Sequence, residues 1–263
     1  MVNLVAAQMP LLHGLMKMAG VRPHAVEIES GTVMNFWVPS EAFNNSRRES
    51  GGGASRPPDK PVVVLVHGFA AEGIVTWQFQ VGALTRDYAV YVPDLLFFGG
   101  STTDSQERSP GFQAECLAKG LRKVGVEECT VVGFSYGGMV AFEMAEHHPR
   151  LVRALVISGS VLASTDAINR IAVGIRKLGF VSFADLLLPT SVEGLKAQLS
   201  VAAHKKLWFP ERLHRDFIKI MFRNRKERSE LLDGLVVGDM DTRIPSFPQR
   251  IHLLWGENDQ IFN

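Results

Sequence analysis

Short apolar runs dominate the first part of the chain and alternate with longer stretches in which apolar residues recur every three or four positions. The runs predict buried strands ending at Val66 and over Ala89–Val92, Thr130–Gly133 and Arg153–Ser158, with one more over Arg250–Trp255. Amphipathic patterns between them predict helices over about Ile74–Arg86, Phe112–Val124 and Met139–His148, the last stopped by Pro149. Such alternation predicts an α/β fold, a mostly parallel sheet covered by helices on both faces. Residues His24–Glu29 and Thr32–Val38 flank Ser30-Gly31 and read as an antiparallel pair at one sheet edge.

Elsewhere the pattern changes. Met1–Gly20 is apolar and methionine-rich with Lys17 as its one charged side chain, which predicts an amphipathic helix covering the sheet edge or resting weakly on a membrane surface. Asn44–Lys60, rich in Ser, Gly, Arg and Pro, has too little apolar area to bury and reads as a loop. From Ser160 to about Ile244 strand signals vanish and helical segments take over, which predicts a cap inserted above the carboxyl ends of the strands. The expected division is therefore an apolar segment 1–23, a core 24–159, a helical cap 160–245 and a return to the core at 246–263. Within the cap, Phe180, Phe183, Leu186, Leu187, Trp208, Phe209, Phe217, Met221 and Phe222 are candidates for lining an apolar cavity, a minority of them touching ligand. Arg223, Arg225, Lys226 and Arg228 read most simply as a solvated face.

Composition narrows the function classes. With 263 residues, 46% hydrophobic and 21% charged, the chain has ample core material for one α/β domain plus an insertion. A formal net charge of +1 gives no electrostatic reason to expect nucleic acid as a partner. Two cysteines, Cys116 and Cys129, read as small buried hydrophobes in a reduced compartment. The start lacks the basic residues of a signal peptide and no stretch reaches a membrane span, so a cytoplasmic location is expected. No metal-ligand cluster or phosphate-cradling loop occurs, so no cofactor and no metal are expected.

Candidate chemistry sits where Cys129-Thr130-Val131-Val132 runs into Gly133-Phe134-Ser135-Tyr136-Gly137 and then a helix. A strand turning sharply into a helix strains the apex residue and holds its side chain clear of the sheet, which makes Ser135 a candidate nucleophile. Gly133 and Gly137 belong there because the backbones on either side of the apex approach too closely for a Cβ. Ser135 also stands at a helix N-terminus, where the Tyr136 N–H would face a developing oxyanion.

Three further motifs accompany this one: an apolar strand ending in His67-Gly68-Phe69, then Val92-Pro93-Asp94-Leu95, and later Leu253-Leu254-Trp255-Gly256-Glu257-Asn258-Asp259. In this order they resemble the α/β-hydrolase superfamily, and more narrowly its plant and bacterial branch of meta-cleavage-product hydrolases and monoacylglycerol-lipase-like esterases. The resemblance runs from Pro61 to the C-terminus. It implies that the Phe69 N–H is the second oxyanion donor, that His67 orients its loop, and that Asp259 is the acid orienting an imidazole. Glu257 and Asp166 are alternatives for the acid, while Asp94 is expected to hold a loop.

In this superfamily the histidine follows the acid after a further helix and strand. Four residues remain after Asp259, so the expectation is a chain truncated before that histidine. His252 lies roughly 10 Å below the strand's carboxyl edge at about 3.3 Å per residue, and His147 and His148 sit about 18 Å along the following helix. Nothing in the sequence sets His204 or His214 of the cap against Asp259. A serine at the apex favours attack on acyl carbon, so the expected partner is a small apolar ester or acyl compound, hydrolysed in lipase or esterase fashion. Without a base, a loss of several powers of ten is expected. The alternative from another class is a non-catalytic ligand receptor on the same fold.

Overall fold

In the computed structural model, which describes residues 2–42, 59–162, 165–205, 208–235 and 245–262, the apolar runs form one sheet. Its strands are β1 (Val21–Glu29), β2 (Thr32–Pro39), β3 (Val62–Val66), β4 (Ala89–Pro93), β5 (Thr102–Thr103), β6 (Cys129–Phe134), β7 (Val152–Ser158) and β8 (Arg250–Leu254). They lie in the order β1-β2-β4-β3-β6-β7-β8, with the short β5 beside β2. The β1–β2 and β2–β4 pairings are antiparallel, and β4, β3, β6, β7 and β8 run parallel. The expected α/β fold is therefore present. The predicted loop falls largely outside the described residues.

Alternation along β3 shows how both faces are sealed. Val62, Val64 and Val66 join one apolar cluster with Val131, Leu155 and Ile157, while Val63 and Leu65 join another with Ile74, Trp77, Val81 and Met16. Every residue of β3 and of β4 is buried. A strand covered on both faces needs this continuous aliphatic run, because side chains on either face leave water. The helices on the two faces come from opposite sides of the connections: α1 (Leu4–Met18) and α2 (Gly73–Leu84) cover the second cluster, α3 (Pro110–Lys123) and α4 (Tyr136–His147) the first.

The apolar N-terminal segment is a helix, α1, started by the Asn3 side chain accepting the Ala6 N–H at 2.8 Å. It packs against α2, β1 and a distant helix over Glu211–Met221. Between β7 and β8 the expected helical insertion comprises α5 (Thr165–Lys177), α6 (Phe183–Leu187), α7 (Val192–Ala202), α8 (Glu211–Met221) and α9 (Arg225–Asp233).

The basic cluster of this insertion is not a solvated face, in contrast to the sequence expectation. Arg228 is buried, donating to the Phe97 carbonyl at 3.1 Å and the Met221 carbonyl at 2.5 Å, with its guanidinium 3.9 Å above the Phe98 ring. Arg225 donates to the Leu188 and Pro189 carbonyls. These arginines satisfy carbonyls at the ends of neighbouring elements, a use that a run of basic residues does not announce. Only Arg223 and Lys226 stay exposed.

Candidate active site

Ser135 separates β6 from α4 and adopts φ 54° and ψ −123°, one of three non-glycine positive φ values among the described residues. Such a conformation costs on the order of 1–3 kcal/mol and persists only where its surroundings enforce it. The Ser135 N–H donates to the Ser158 carbonyl at 3.0 Å, and its own carbonyl accepts the Gly138 N–H at 2.8 Å. Crowding enforces the rest. A Cβ on Gly133 would stand 2.6 Å from the Gly138 Cα, as expected of two segments folded back on one another. Gly137 differs from expectation: a Cβ there would strike the His67 and Val66 carbonyl oxygens, so its partner is β3 rather than the opposite arm of the turn.

That contact couples the turn to the loop after β3. Gly68 lies so near that a Cβ on it would be 3.2 Å from the Ser135 Cβ, and Phe69 follows with its ring buried against Phe98 and Tyr136. Neither the Phe69 N–H nor the Tyr136 N–H donates to a described residue. His67 is fully buried; its Nδ1 donates to the Gly68 carbonyl at 2.7 Å and its Nε2 accepts the Leu95 N–H at 2.9 Å. This pair of bonds requires the neutral tautomer with the proton on Nδ1. Burial pushes its pKa down to about 4, partly offset by the Gly68 bond and reinforced by Arg228. An imidazole locked between two backbone groups shapes its loop and is not free to take a proton from Ser135.

Asp259 ends a turn in which its N–H donates to the Gly256 carbonyl at 3.1 Å. Gly256 has no positive φ, and a Cβ there would meet nothing closer than 4.0 Å, so the turn does not require glycine. One carboxylate oxygen, Oδ1, accepts the Ile261 and Phe262 N–H groups, each at 2.9 Å. The other, Oδ2, faces Gly159, 3.7 Å from where a Cβ would stand. No histidine among the described residues is hydrogen-bonded or ion-paired to Asp259. His147 and His148 pair with Glu143 and Glu115, and His252 is exposed on β8.

Ser135, Phe69 and Asp259 line one cavity of about 550 Å³ beneath the helical insertion. Its remaining wall is largely apolar and includes Leu186, Leu187, Leu195, Leu199 and Phe217, with His204 at the side. Of the nine cap residues singled out from the sequence, Leu186, Leu187 and Phe217 reach this cavity; Phe180 and Phe222 are packed in the core, and Trp208 is exposed. Leu195 and Leu199 were not anticipated, since nothing but position separates them from other leucines on amphipathic helices. Asp94 does not join Ser135, although both stand at carboxyl ends of strands. It lines a separate cavity with Glu72 and Arg228, and its Oδ1 accepts the Gly73 N–H at 2.8 Å at the start of α2. Burial, then the nearby Glu72 charge, push its pKa up to about 7. Cys116 and Cys129 are free and buried.

Residues 61–263 match the family model of the alpha/beta hydrolase fold. Among curated proteins, human "Epoxide hydrolase 4" is 28% identical over 102 residues, 37% of this chain and 27% of its own length. "Pyrrolizixenacetamide deacetylase" of Xenorhabdus hominickii is 35% identical over 112 residues, 40% of either chain. The chain thus spans well under half the length of these relatives. A solved structure described as a membrane phospholipase A and novel bacterial virulence factor superposes with a TM-score of 0.72 over 99% of this chain and 76% of that one, at 22% identity. With its parallel sheet, its strand-to-helix serine turn and this match over most of its length, the chain belongs to the α/β-hydrolase fold family.

Proposed function

We infer that the chain is a serine hydrolase of carboxylic esters, working through an acyl-enzyme. One observation carries the reading: Ser135 sits at a strained positive φ, on a cavity wall, next to two unpaired backbone donors. In the proposed reaction the Ser135 Oγ attacks the acyl carbon as its proton passes to an imidazole, and the carbonyl electron pair moves onto oxygen. The Phe69 and Tyr136 N–H groups stabilise that oxyanion, and its collapse expels the alcohol, which takes the proton. Water then repeats the sequence on the acyl-serine. Asp259 orients the imidazole through Oδ2, while its two backbone bonds hold the carboxylate still.

The relatives include an epoxide hydrolase, but attack on an epoxide carbon calls for a carboxylate at the apex, where this chain has serine. The imidazole is the one component that no described histidine supplies at Asp259. The largely apolar walls of this cavity support an apolar ester or acyl compound as substrate. The outward stripe Leu4, Leu11, Leu15 and Met18 on α1 supports weak contact with a lipid surface, and no helix among the described residues is long and apolar enough to cross a membrane.

Fluorophosphonate labelling tests the reading, with and without free imidazole in solution. Mass spectrometry is expected to find the adduct on Ser135, imidazole to increase its yield, and Ser135→Ala to abolish it. Absence of an adduct under both conditions would overturn the nucleophile assignment and favour a ligand-binding role.

A further inference from the structure

A second apolar cavity adjoins the first. A groove of about 380 Å³ runs between α1, the start of α2, and helices α7 and α8, with Val5, Leu12, Val75 and Met221 among its walls. No charged side chain lines it. Of its polar groups, the Gln78 Nε2 donates to the Val75 carbonyl at 2.9 Å and the His214 Nδ1 bonds the Pro210 carbonyl at 3.1 Å. Three residues, Leu195, Leu199 and Phe217, line both this groove and the cavity at Ser135. The two spaces therefore share an apolar wall.

The groove is a held feature of the fold. The start of α1 is tied to α8, since the Leu4 N–H donates to the Asp216 Oδ2 at 2.8 Å and Arg212 donates to the Val2 carbonyl at 2.7 Å. Its outer rim, Leu11, Leu15 and Phe209, is exposed. An uncharged groove that continues the wall of a reaction cavity suits an unbranched alkyl tail and offers nothing to a charged or sugar-like one.

We propose that the chain is built for long unbranched acyl groups: the carbonyl lies at Ser135, and the tail passes Leu199 and Phe217 into the groove floored by α1. This rests on the acyl-transfer reading of Ser135 and adds the substrate class. It gives α1 a role in binding as well as in covering the sheet. Each methylene that leaves water is worth up to about fourfold in affinity, so a sixteen-carbon chain, which reaches the groove, outbinds an eight-carbon chain, which does not.

Titration calorimetry with octanoate and hexadecanoate below their micelle concentrations tests this. Hexadecanoate is expected to bind at least about thirtyfold more tightly. Leu12→Trp and Leu213→Trp, which fill the groove from its α1 and α8 walls without touching the Ser135 cavity, are each expected to erase that advantage and leave octanoate unchanged. Unchanged octanoate binding also shows that the variants are folded. Equal affinities in the unmodified chain, or a hexadecanoate advantage that survives either substitution, would overturn the proposal. Failure of octanoate to protect Ser135 from fluorophosphonate, with the chain-length dependence intact, would instead overturn the reading of Ser135 and leave a lipid-binding groove.

Discussion

The crest that carries Ser135 and the flank that carries Asp259 are built by opposite means. Around Ser135, β6 is hydrogen-bonded on both sides by β3 and β7, and glycine contacts with no room for a methyl lock the turn against β3. Around Asp259, β8 pairs with β7 alone among the described strands, and all five of its residues are exposed, Leu253 by 58%. Parallel strands are ordinarily buried on both faces. The contrast teaches that Ser135 is positioned by the tight core, while Asp259 is held by a local turn and two backbone hydrogen bonds.

The sharpest way to break this contrast is at Gly137. Adding one methyl by Gly137→Ala drives it into the β3 carbonyls, with an expected loss above about 4 kcal/mol in denaturant unfolding. Near-normal stability would show that crowding does not hold the crest. Next comes the same truncation in both regions: Leu65→Ala, at a site with no exposure, is expected to cost about 2–5 kcal/mol, and Leu253→Ala less than about 1 kcal/mol. Similar costs would mean that β8 is covered after all.

The loop below the crest supplies a pH test. His67 has its pKa lowered to about 4, so an unfolded chain takes up its proton first as pH falls below 6.5 and stability declines down to pH 4. Asp94 has its pKa raised to about 7, so its contribution is full below its unfolded value near 3.8 and is lost as pH rises through 7. Between pH 7.5 and 5 each is worth about 2 kcal/mol in opposite directions, so they nearly cancel. His67→Gln is then expected to gain stability on acidification and Asp94→Asn to lose it, read from unfolding midpoints at the two pH values. Parallel behaviour of the two variants would contradict the assignment. The smallest effect is at the apex itself: Ser135→Gly relieves the positive φ and is expected to stabilise by about 1 kcal/mol while abolishing labelling.

Much of the crest was legible because its causes are local. Val62–Val66 and Cys129–Phe134 are aliphatic runs of strand length, and Gly-Phe-Ser-Tyr-Gly carries its steric demand in its own spacing. What escaped depends on long-range placement. Arg225 and Arg228 look like any solvated pair until carbonyls from other elements meet them. Asp94 shares a sheet edge with Ser135 yet opens into another cavity, because the edge is wide enough for two. β5, two residues long, pairs only because β2 is there to receive it. Leu195 and Leu199 acquire meaning from α1, which comes almost two hundred residues earlier in the chain.

The central claim is that the Ser135 hydroxyl faces the Phe69 and Tyr136 amides across one cavity. A crystal structure of the phosphonylated protein tests it most directly. The account predicts a covalent bond at the Ser135 Oγ with the phosphoryl oxygen about 2.7–3.1 Å from both amide nitrogens. A phosphoryl oxygen turned toward solvent, away from both donors, would contradict it.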